Sequence, residues 1–195
     1  MMRVIHTLLT ICVIVLISSS IFAQDCTNAI LDIMLVIDDS GSVDDAEFLN
    51  TTKFAKAVSS YFLNEATTTD ARVGVVTFSL VAEPYADPTD SQFIVDYAID
   101  NIARQKSYTA VGQGMNLAMD MLEESGRDYA NWVMLVISDG MNNRQPNPED
   151  GPAARALAAD TYIYAVGVGN GITEAQLLKI VGGSAYSDRI LSVGN

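Results

Sequence analysis

Histidine and cysteine are nearly absent from this sequence. The single histidine, His6, and one of the two cysteines, Cys12, lie in the first 23 residues, so the rest of the chain has Cys26 and no histidine. Serine and cysteine hydrolases of the triad type move their proton through a histidine. Such mechanisms are therefore excluded for the chain that follows residue 23.

Basic residues are also scarce. The chain has 11 Lys and Arg against 24 Asp and Glu, a formal net charge of −13. A surface this acidic repels the phosphates of nucleic acids and anionic membranes, so we expect neither as a partner, whereas cations and basic groups are favoured. Glycine and proline are not enriched and 49% of the residues are apolar, which is typical of a globular domain.

Long apolar runs are missing as well. The most apolar stretch, residues 8–17, is shorter than the roughly 20 residues that a membrane-spanning helix needs. It follows Arg3 and leads to Ile21-Phe22-Ala23, the pattern of a secretory signal peptide cleaved after Ala23. We therefore expect a signal peptide at 1–23 and an extracellular domain at 24–195, whose charge becomes −14 because Arg3 is lost from a total of −13. An uncleaved membrane anchor is the less favoured alternative.

Two features of the exported chain suggest covalent modification. Cys26 is unpaired within the chain after residue 23, so it either forms a disulfide with another chain, the interpretation we favour, or stays a free thiol. Asn50-Thr51-Thr52 is an acceptor sequence for N-glycosylation, although such triplets also arise by chance.

Strand and helix patterns alternate along the chain. Apolar and β-branched runs predict strands at 31–37, 72–79, 81–85, 132–137, 162–168 and 189–193, the third ended by Asp87-Pro88. Helical spacing predicts helices at 44–63, 91–104, 112–124, 152–159 and 174–181, the first capped by Asp44 or Ser42. Alternation of this kind predicts an α/β fold with a mostly parallel central sheet and helices on both faces, a doubly wound, Rossmann-like three-layer sandwich.

Two of these helices have an apolar side that predicts which residues face the core. In the helix at 91–104 the apolar side consists of Phe93, Ile94, Tyr97, Ala98 and Ile102. In the helix at 112–124 the inward residues are Met115, Ala118, Met119 and Leu122, where the methionines fill the core.

Polar residues follow the predicted strands at the places where parallel sheets bind ligands. The first strand leads into Asp38-Asp39-Ser40-Gly41-Ser42 and the strand at 132–137 leads into Ser138-Asp139-Gly140, while residues 107–112 form a loop before a helix. Ligands of open α/β sheets bind outside the carboxyl ends of the strands. We therefore expect these loops to bring hydroxyl and carboxylate oxygens together at one sheet edge.

The first of these loops resembles the Asp-x-Ser-x-Ser motif of von Willebrand factor A and integrin inserted domains. In that family the motif opens a metal-ion-dependent adhesion site, which also uses a Thr from a middle loop and an Asp after a later strand. Asp38, Ser40 and Ser42 match the motif, and Thr109 and Asp139 match the later positions by order and context. The resemblance covers residues 29–193, and its specificity comes from the three loops together.

What the resemblance implies is a site for Mg²⁺ or Mn²⁺ built only from oxygen ligands. Ser40 and Ser42 would coordinate directly, Asp38 and Asp139 mainly through water, and Thr109 in either way. The remaining coordination position would bind an Asp or Glu of an extracellular protein, such as collagen or another matrix component. The resemblance also implies an antiparallel edge strand, for which residues 81–85 are the candidate.

The sequence departs from the family pattern at two places. The middle loop of the family is often Thr-x-Thr-Gly, whereas this chain has Val111 at the second Thr position. The family usually has a helix after its last strand, and no such helix is predicted before Asn195. That difference puts in doubt the coupling of helix movement to metal geometry that integrin-type domains have.

Three other functions remain as alternatives. Asp39-Ser40-Gly41 resembles the loop of aspartic proteases, but the second Asp-Thr/Ser-Gly is missing and that fold is all-β. Residues 167–171 resemble a nucleotide-binding loop, but Ile172 replaces the third glycine and no Walker A lysine is present. The third alternative is a metal-independent structural or assembly module of the same fold.

Overall fold

A six-stranded sheet forms the centre of the computed structural model, which describes residues 29–64, 69–140, 142–169 and 171–193. In chain order the strands are β1 (Ile30–Asp38), β2 (Asp70–Phe78), β3 (Ala82–Thr89), β4 (Asn131–Ser138), β5 (Tyr162–Val168) and β6 (Ile190–Val193). Their spatial order is β3-β2-β1-β4-β5-β6, and all neighbours are parallel except β3, which pairs antiparallel with β2 at one edge.

Helices cover both faces of this sheet. They are α1 (Asp45–Phe62), α2 (Gln92–Asp100), α3 (Val111–Ser125), α4 (Pro152–Ala158) and α5 (Glu174–Val181). Alternate residues of β1 divide between two cores: Ile33 and Leu35 pack with α1 and α2, and Met34 and Val36 pack with α3, α4 and α5. This arrangement confirms the predicted three-layer, doubly wound α/β sandwich with an antiparallel edge strand.

The start of α1 shows how local sequence fixes an element next to the strand ends. The Asp44 carboxylate accepts from the backbone N–H groups of Ala46 and Glu47, both at 2.8 Å, and the Glu47 side chain accepts from the Asp44 N–H at 3.0 Å. This capping box satisfies donors that a helix start leaves free. Asp44 is thus the cap, and Ser42 lies among the polar side chains beyond β1.

The predicted core face of α2 was wrong. The exposed fractions of Phe93, Ile94 and Tyr97 are 78%, 48% and 63%, whereas Val95, Ala98 and Ile99 are buried. Of the five residues predicted to face the core, only Ala98 is buried and Ile102 is partly so. The predicted inward residues of α3 are all buried, and their assignment is confirmed.

Two predicted element ends differ from the structure by about four residues, and the other ends by at most two. The edge strand β3 does not stop at Asp87-Pro88 but continues to Thr89, because an edge strand tolerates prolines whose missing N–H faces away from the sheet. Helix α2 ends at Asp100 rather than at residue 104. The segment that follows runs to the carboxyl edge of the sheet, where the Gln105 N–H donates to the Asp39 carboxylate at 2.9 Å.

Several predictions fall outside this description or stay untested by it. Cys26 and the expected signal peptide lie outside the described residues. Asn50 is exposed on α1, and its glycosylation remains a prediction. In the part of the chain that is described, no helix combines the length and the apolar character needed to cross a membrane.

Candidate metal site

The strand order places three loops at one edge of the sheet. β1 and β4 are parallel neighbours, with Ile37 opposite Ile137, so the residues that follow them emerge side by side. From β1 the chain adds β2 and β3 towards one edge of the sheet, and from β4 it adds β5 and β6 towards the opposite edge. The boundary between β1 and β4 is therefore a switch point of the topology. Crevices at such switch points are the usual ligand sites of doubly wound sheets.

Four of the five predicted site residues form an unbroken row of contacting oxygen atoms. The Thr109 hydroxyl donates to the Ser40 hydroxyl at 3.2 Å, and the Ser40 and Ser42 hydroxyls are hydrogen-bonded at 2.9 Å. The Ser42 hydroxyl then donates to Oδ1 of Asp139 at 3.0 Å. Side chains from three loops, as many as 97 residues apart in sequence, are therefore brought together.

The fifth residue, Asp38, lies beneath this row at the end of β1. Its Oδ1 accepts from the Ser40 N–H at 2.9 Å and its Oδ2 from the Ser138 hydroxyl at 2.6 Å. Burial raises the pKa of Asp38 to about 7, against the lowering effect of the bonds from Ser138 and Ser40. Burial also raises the pKa of Asp139, and the hydrogen bond from Ser42 partly offsets this increase.

Within the described residues, neither carboxylate of the site is in contact with a cationic side chain. Among the described residues no Lys or Arg forms an ion pair with Asp38 or Asp139, although only 1% and 6% of these residues are exposed. Buried carboxylates are ordinarily paired with a cation or bound to a metal. The site therefore has the electrostatic character of a place for a cation that the protein itself does not supply.

The hydrogen-bonded oxygens of the row have a separation that octahedral coordination can accept. Oxygens about 2.1 Å from Mg²⁺ and at right angles to each other are separated by about 3 Å. The consecutive oxygens of the row are 3.2, 2.9 and 3.0 Å apart. The donor set is also chemically suitable, because it consists of hydroxyls and carboxylates, the hard ligands that Mg²⁺ and Mn²⁺ prefer. The residues present thus fit such an ion.

Three supporting residues were not recognised from the sequence. Ser138 orients Asp38 through the 2.6 Å bond given above. Asn143 holds the middle loop, since its side chain accepts from the Thr109 N–H and its own N–H donates to the Thr109 carbonyl, both at 2.9 Å. Arg104 donates to the carbonyls of Ser40 and Val43 and forms a 2.8 Å ion pair with Asp45. Only Ser138 had a sequence signal, its position directly before Asp139.

Gly112 allows the middle loop to approach the chain beyond β4. It is the second residue of α3, and a Cβ there would lie 2.1 Å from the carbonyl oxygen of Pro146. Because that oxygen belongs to the backbone, a whole segment would have to move. We expect Gly112→Ala to lower the free energy of unfolding by about 1–3 kcal/mol, measured by urea denaturation.

The matched control for this substitution is Glu124→Ala. Glu124 is exposed near the end of the same helix, and its replacement is expected to change stability by no more than about 0.5 kcal/mol. Equal midpoints for Gly112→Ala and the wild type would contradict the close approach.

The fold and this site together define a class: doubly wound α/β domains with a cluster of hydroxyl and carboxylate oxygens at the switch point. Within that class the model for the von Willebrand factor type A domain matches residues 32–194. The chain belongs to the von Willebrand factor type A domain family.

The relatives of this chain include adhesion and matrix proteins. Integrin alpha-D of Homo sapiens is 26% identical over 181 residues, and the match covers 88% of this chain and 15% of the relative. Matrilin-3 of Gallus gallus is 29% identical over 175 residues, and the match covers 86% of this chain and 37% of the relative. The chain therefore spans well under half of the length of either relative. A solved structure of proximal thread matrix protein 1 from the mussel byssus has a TM-score of 0.72 at 26% identity, covering 87% of this chain and 42% of that one. Another structure of the mussel protein has a zinc-occupied metal-ion-dependent adhesion site (MIDAS) motif.

Proposed function

We propose that this chain is a secreted adhesion module that binds one divalent cation through Asp38, Ser40, Ser42, Thr109 and Asp139. A bound Mg²⁺ or Mn²⁺ supplies an electrophilic position that accepts a carboxylate oxygen of an Asp or Glu on an extracellular protein. The single observation that carries the proposal is the row of contacting oxygens from three loops, next to a buried carboxylate that forms no ion pair with any described residue.

The comparisons support the setting of this proposal. Relatives named as an integrin, a matrilin and a collagen VI chain point to adhesion or matrix assembly outside the cell, with collagen or another matrix protein as the partner class. The zinc-occupied motif of the mussel protein supports the same kind of site in this chain. The signal-peptide pattern at 1–23 supports export, and export makes the disulfide of Cys26 and glycosylation of Asn50 chemically accessible.

An enzymatic function has less support. The aspartic-protease alternative requires an all-β fold, and this fold has a mostly parallel sheet with helices on both faces. Two glycines of this candidate loop are closely packed: a Cβ at Gly167 would lie 2.6 Å from the Ile172 side chain, and one at Gly171 would lie 2.4 Å from the Asp139 carbonyl. We therefore propose binding rather than catalysis.

Calorimetric titration with MgCl₂ and MnCl₂ tests the metal site. Chelator-treated wild type is expected to bind one ion, and Ser42→Ala to bind at least about tenfold more weakly because a ligand is lost. Ser60→Ala is the matched control, since Ser60 is an exposed serine of α1 outside the oxygen row. Absence of metal binding by the wild type would contradict the site and favour a metal-independent structural or assembly module.

Binding of an acidic ligand is tested separately. A capped peptide with a single Glu is expected to bind the Mg²⁺-saturated protein weakly and to be released by chelator, followed through backbone amide NMR shifts of residues 38–42 and 107–109. Peptide binding that survives the chelator would contradict a role of the cation in recognition.

A further inference from the structure

Beside the oxygen row lies an arginine that the site described above does not use. The guanidinium of Arg144 lies 3.3 Å from the centroid of the Tyr108 ring, a cation–π stack. Tyr108 is 47% exposed and directly precedes Thr109. The stack therefore lies at the rim of the site, on the side of its middle loop.

The backbone fixes this pair relative to the site. Thr109 and Asn143 are joined by two hydrogen bonds of 2.9 Å, so Tyr108 and Arg144 are the next residues along two tied segments. The Tyr108 carbonyl also accepts from the Ser79 hydroxyl at 3.0 Å, and the Arg144 carbonyl accepts from the Asn142 side chain at 2.7 Å. Tyr108 and Arg144 are thus held next to the middle loop of the site, one residue away from Thr109 and Asn143 respectively.

The charge of Arg144 is unusual in a chain this acidic. Across 29–64, 69–140, 142–169 and 171–193, most arginines form ion pairs, for example Arg104 with Asp45 and Arg155 with Asp120, whereas Arg144 has no carboxylate within 4.0 Å. The aromatic stack covers one face of its guanidinium and leaves the edge with its N–H donors free of an acid. Such a preorganised edge is suited to bidentate binding of a carboxylate.

We propose that Arg144, positioned by Tyr108, binds a second carboxylate of the ligand, so that this site selects protein segments with two acidic residues close together. The inference rests on the proposed function, because the first carboxylate is the one that binds the cation. In an extended segment, residues i and i+2 lie on the same side and about 7 Å apart. A Glu-x-Glu segment, which carries two carboxylates on the same side, is therefore the diacid chosen to test the proposal.

Two capped peptides with the same backbone, one with Glu-Gly-Glu and one with Glu-Gly-Gln, provide the test. Each is titrated by NMR into Mg²⁺-saturated protein, and saturation of each variant is verified by its own Mg²⁺ titration. For the wild type we expect the diacid to bind about fivefold more tightly than the monoacid, the size of effect typical of a partly exposed ion pair. For Arg144→Gln we expect equal affinities.

Control variants distinguish a specific effect of Arg144 on the ratio of affinities from two other causes, a general change in charge and chelation of the cation by both carboxylates of the peptide. Arg155→Gln removes the same charge from an arginine that bridges Asp120 and Glu123, and it should keep the wild-type ratio of affinities. Tyr108→Phe keeps the ring and should also keep the ratio, whereas Tyr108→Ala should reduce it. Chelation of the cation by both carboxylates would preserve the ratio in Arg144→Gln.

The outcomes distinguish this inference from the proposed function. Binding of both peptides with equal affinity to the wild type, or an unchanged ratio in Arg144→Gln, would overturn the role of Arg144 and leave the metal-dependent site intact. Failure of both peptides to bind the Mg²⁺-loaded wild type would overturn the two proposals together.

Discussion

Replacing Asp32 with alanine is expected to lower the free energy of unfolding by about 3–5 kcal/mol, because it leaves part of a buried charge network without its anion. Asp32 lies within β1 and is fully buried. Its carboxylate accepts from the backbone N–H and the Nε of Arg127 and forms a 2.9 Å ion pair with the same guanidinium. Urea denaturation at neutral pH, with chelator present throughout, measures the effect without a contribution from metal.

The size of this effect follows from what Arg127 does. Its guanidinium ties together the starts of two strands, since it also donates to the Leu31 carbonyl at 2.9 Å and pairs with the Asp70 carboxylate at 2.7 Å. The Arg127 carbonyl in turn accepts from the Trp132 indole N–H at 3.1 Å. Loss of Asp32 therefore loosens the junction of β1, β2 and β4 at the edge opposite the oxygen row.

Asp120→Ala is the matched control for this prediction. Asp120 pairs with Arg155 at 2.7 Å, but its side chain is 61% exposed, so its removal is expected to lower stability by no more than about 1 kcal/mol. Similar losses for the two variants would contradict the view that burial makes the Asp32 network important.

Asp32 also illustrates what sequence reasoning misses. Read as a pattern, residues 31–37 form a nearly continuous apolar run, which correctly predicts a central strand buried on both faces. A single acid in such a run gives no indication of its partner, because Arg127 is 95 residues away. Long-range polar pairs of this kind are fixed by the fold, so they can be assigned only once the strands are placed.

The convergence of the site loops was easier to predict from the sequence than the Asp32–Arg127 pair. In a parallel sheet the carboxyl ends of neighbouring strands meet, so residues that follow two predicted strands are expected to be close. The contact between Ser42 and Asp139 agrees with that expectation. The contact between Ser40 and Thr109 does not follow from it, because Thr109 precedes a helix and does not follow a strand. The hydrogen-bond partners that orient them, Asn143 and Arg104, come from loops whose conformation has no sequence signal.

Helix α2 shows the limit of periodicity. Its residues from Phe93 to Ile99 are apolar except for Asp96, so more than one side of the helix is apolar and spacing alone cannot select the buried one. The structure buries Val95 and Ile99 and exposes Phe93. Packing against α1 and the sheet makes that selection, which is a tertiary effect.

The second large effect is expected from Asp38→Asn, which should abolish Mg²⁺ binding and yet stabilise the metal-free protein above neutral pH. The amide keeps the geometry: its oxygen accepts from the Ser40 N–H, and its NH₂ donates to Ser138, whose hydroxyl turns to the Gly140 carbonyl 3.3 Å away. It removes the buried charge, however, and with it the attraction for a cation.

The pH dependence of the metal-free wild type follows from the same group. In the folded state the pKa of Asp38 is raised from 3.8 to about 7, so between these values the folded protein holds a proton that the unfolded chain releases. The stability contributed by this proton is complete below pH 3.8 and is lost as the pH rises through about 7. The loss is on the order of 2–4 kcal/mol, and added Mg²⁺ is expected to reverse it by binding the charged form.

Thermal or urea unfolding at pH 5, 6.5 and 8, each with chelator and with Mg²⁺, measures both effects. With chelator, the wild type should lose stability relative to Asp38→Asn as the pH rises, and Mg²⁺ should stabilise only the wild type. Asp87→Asn is the matched control, because Asp87 is exposed on the edge strand and its replacement makes the same change in net charge. If metal-free Asp38→Asn is no more stable than the wild type at pH 8, the buried charge of Asp38 does not destabilise the metal-free protein. The free energy of cation binding must then come from other groups.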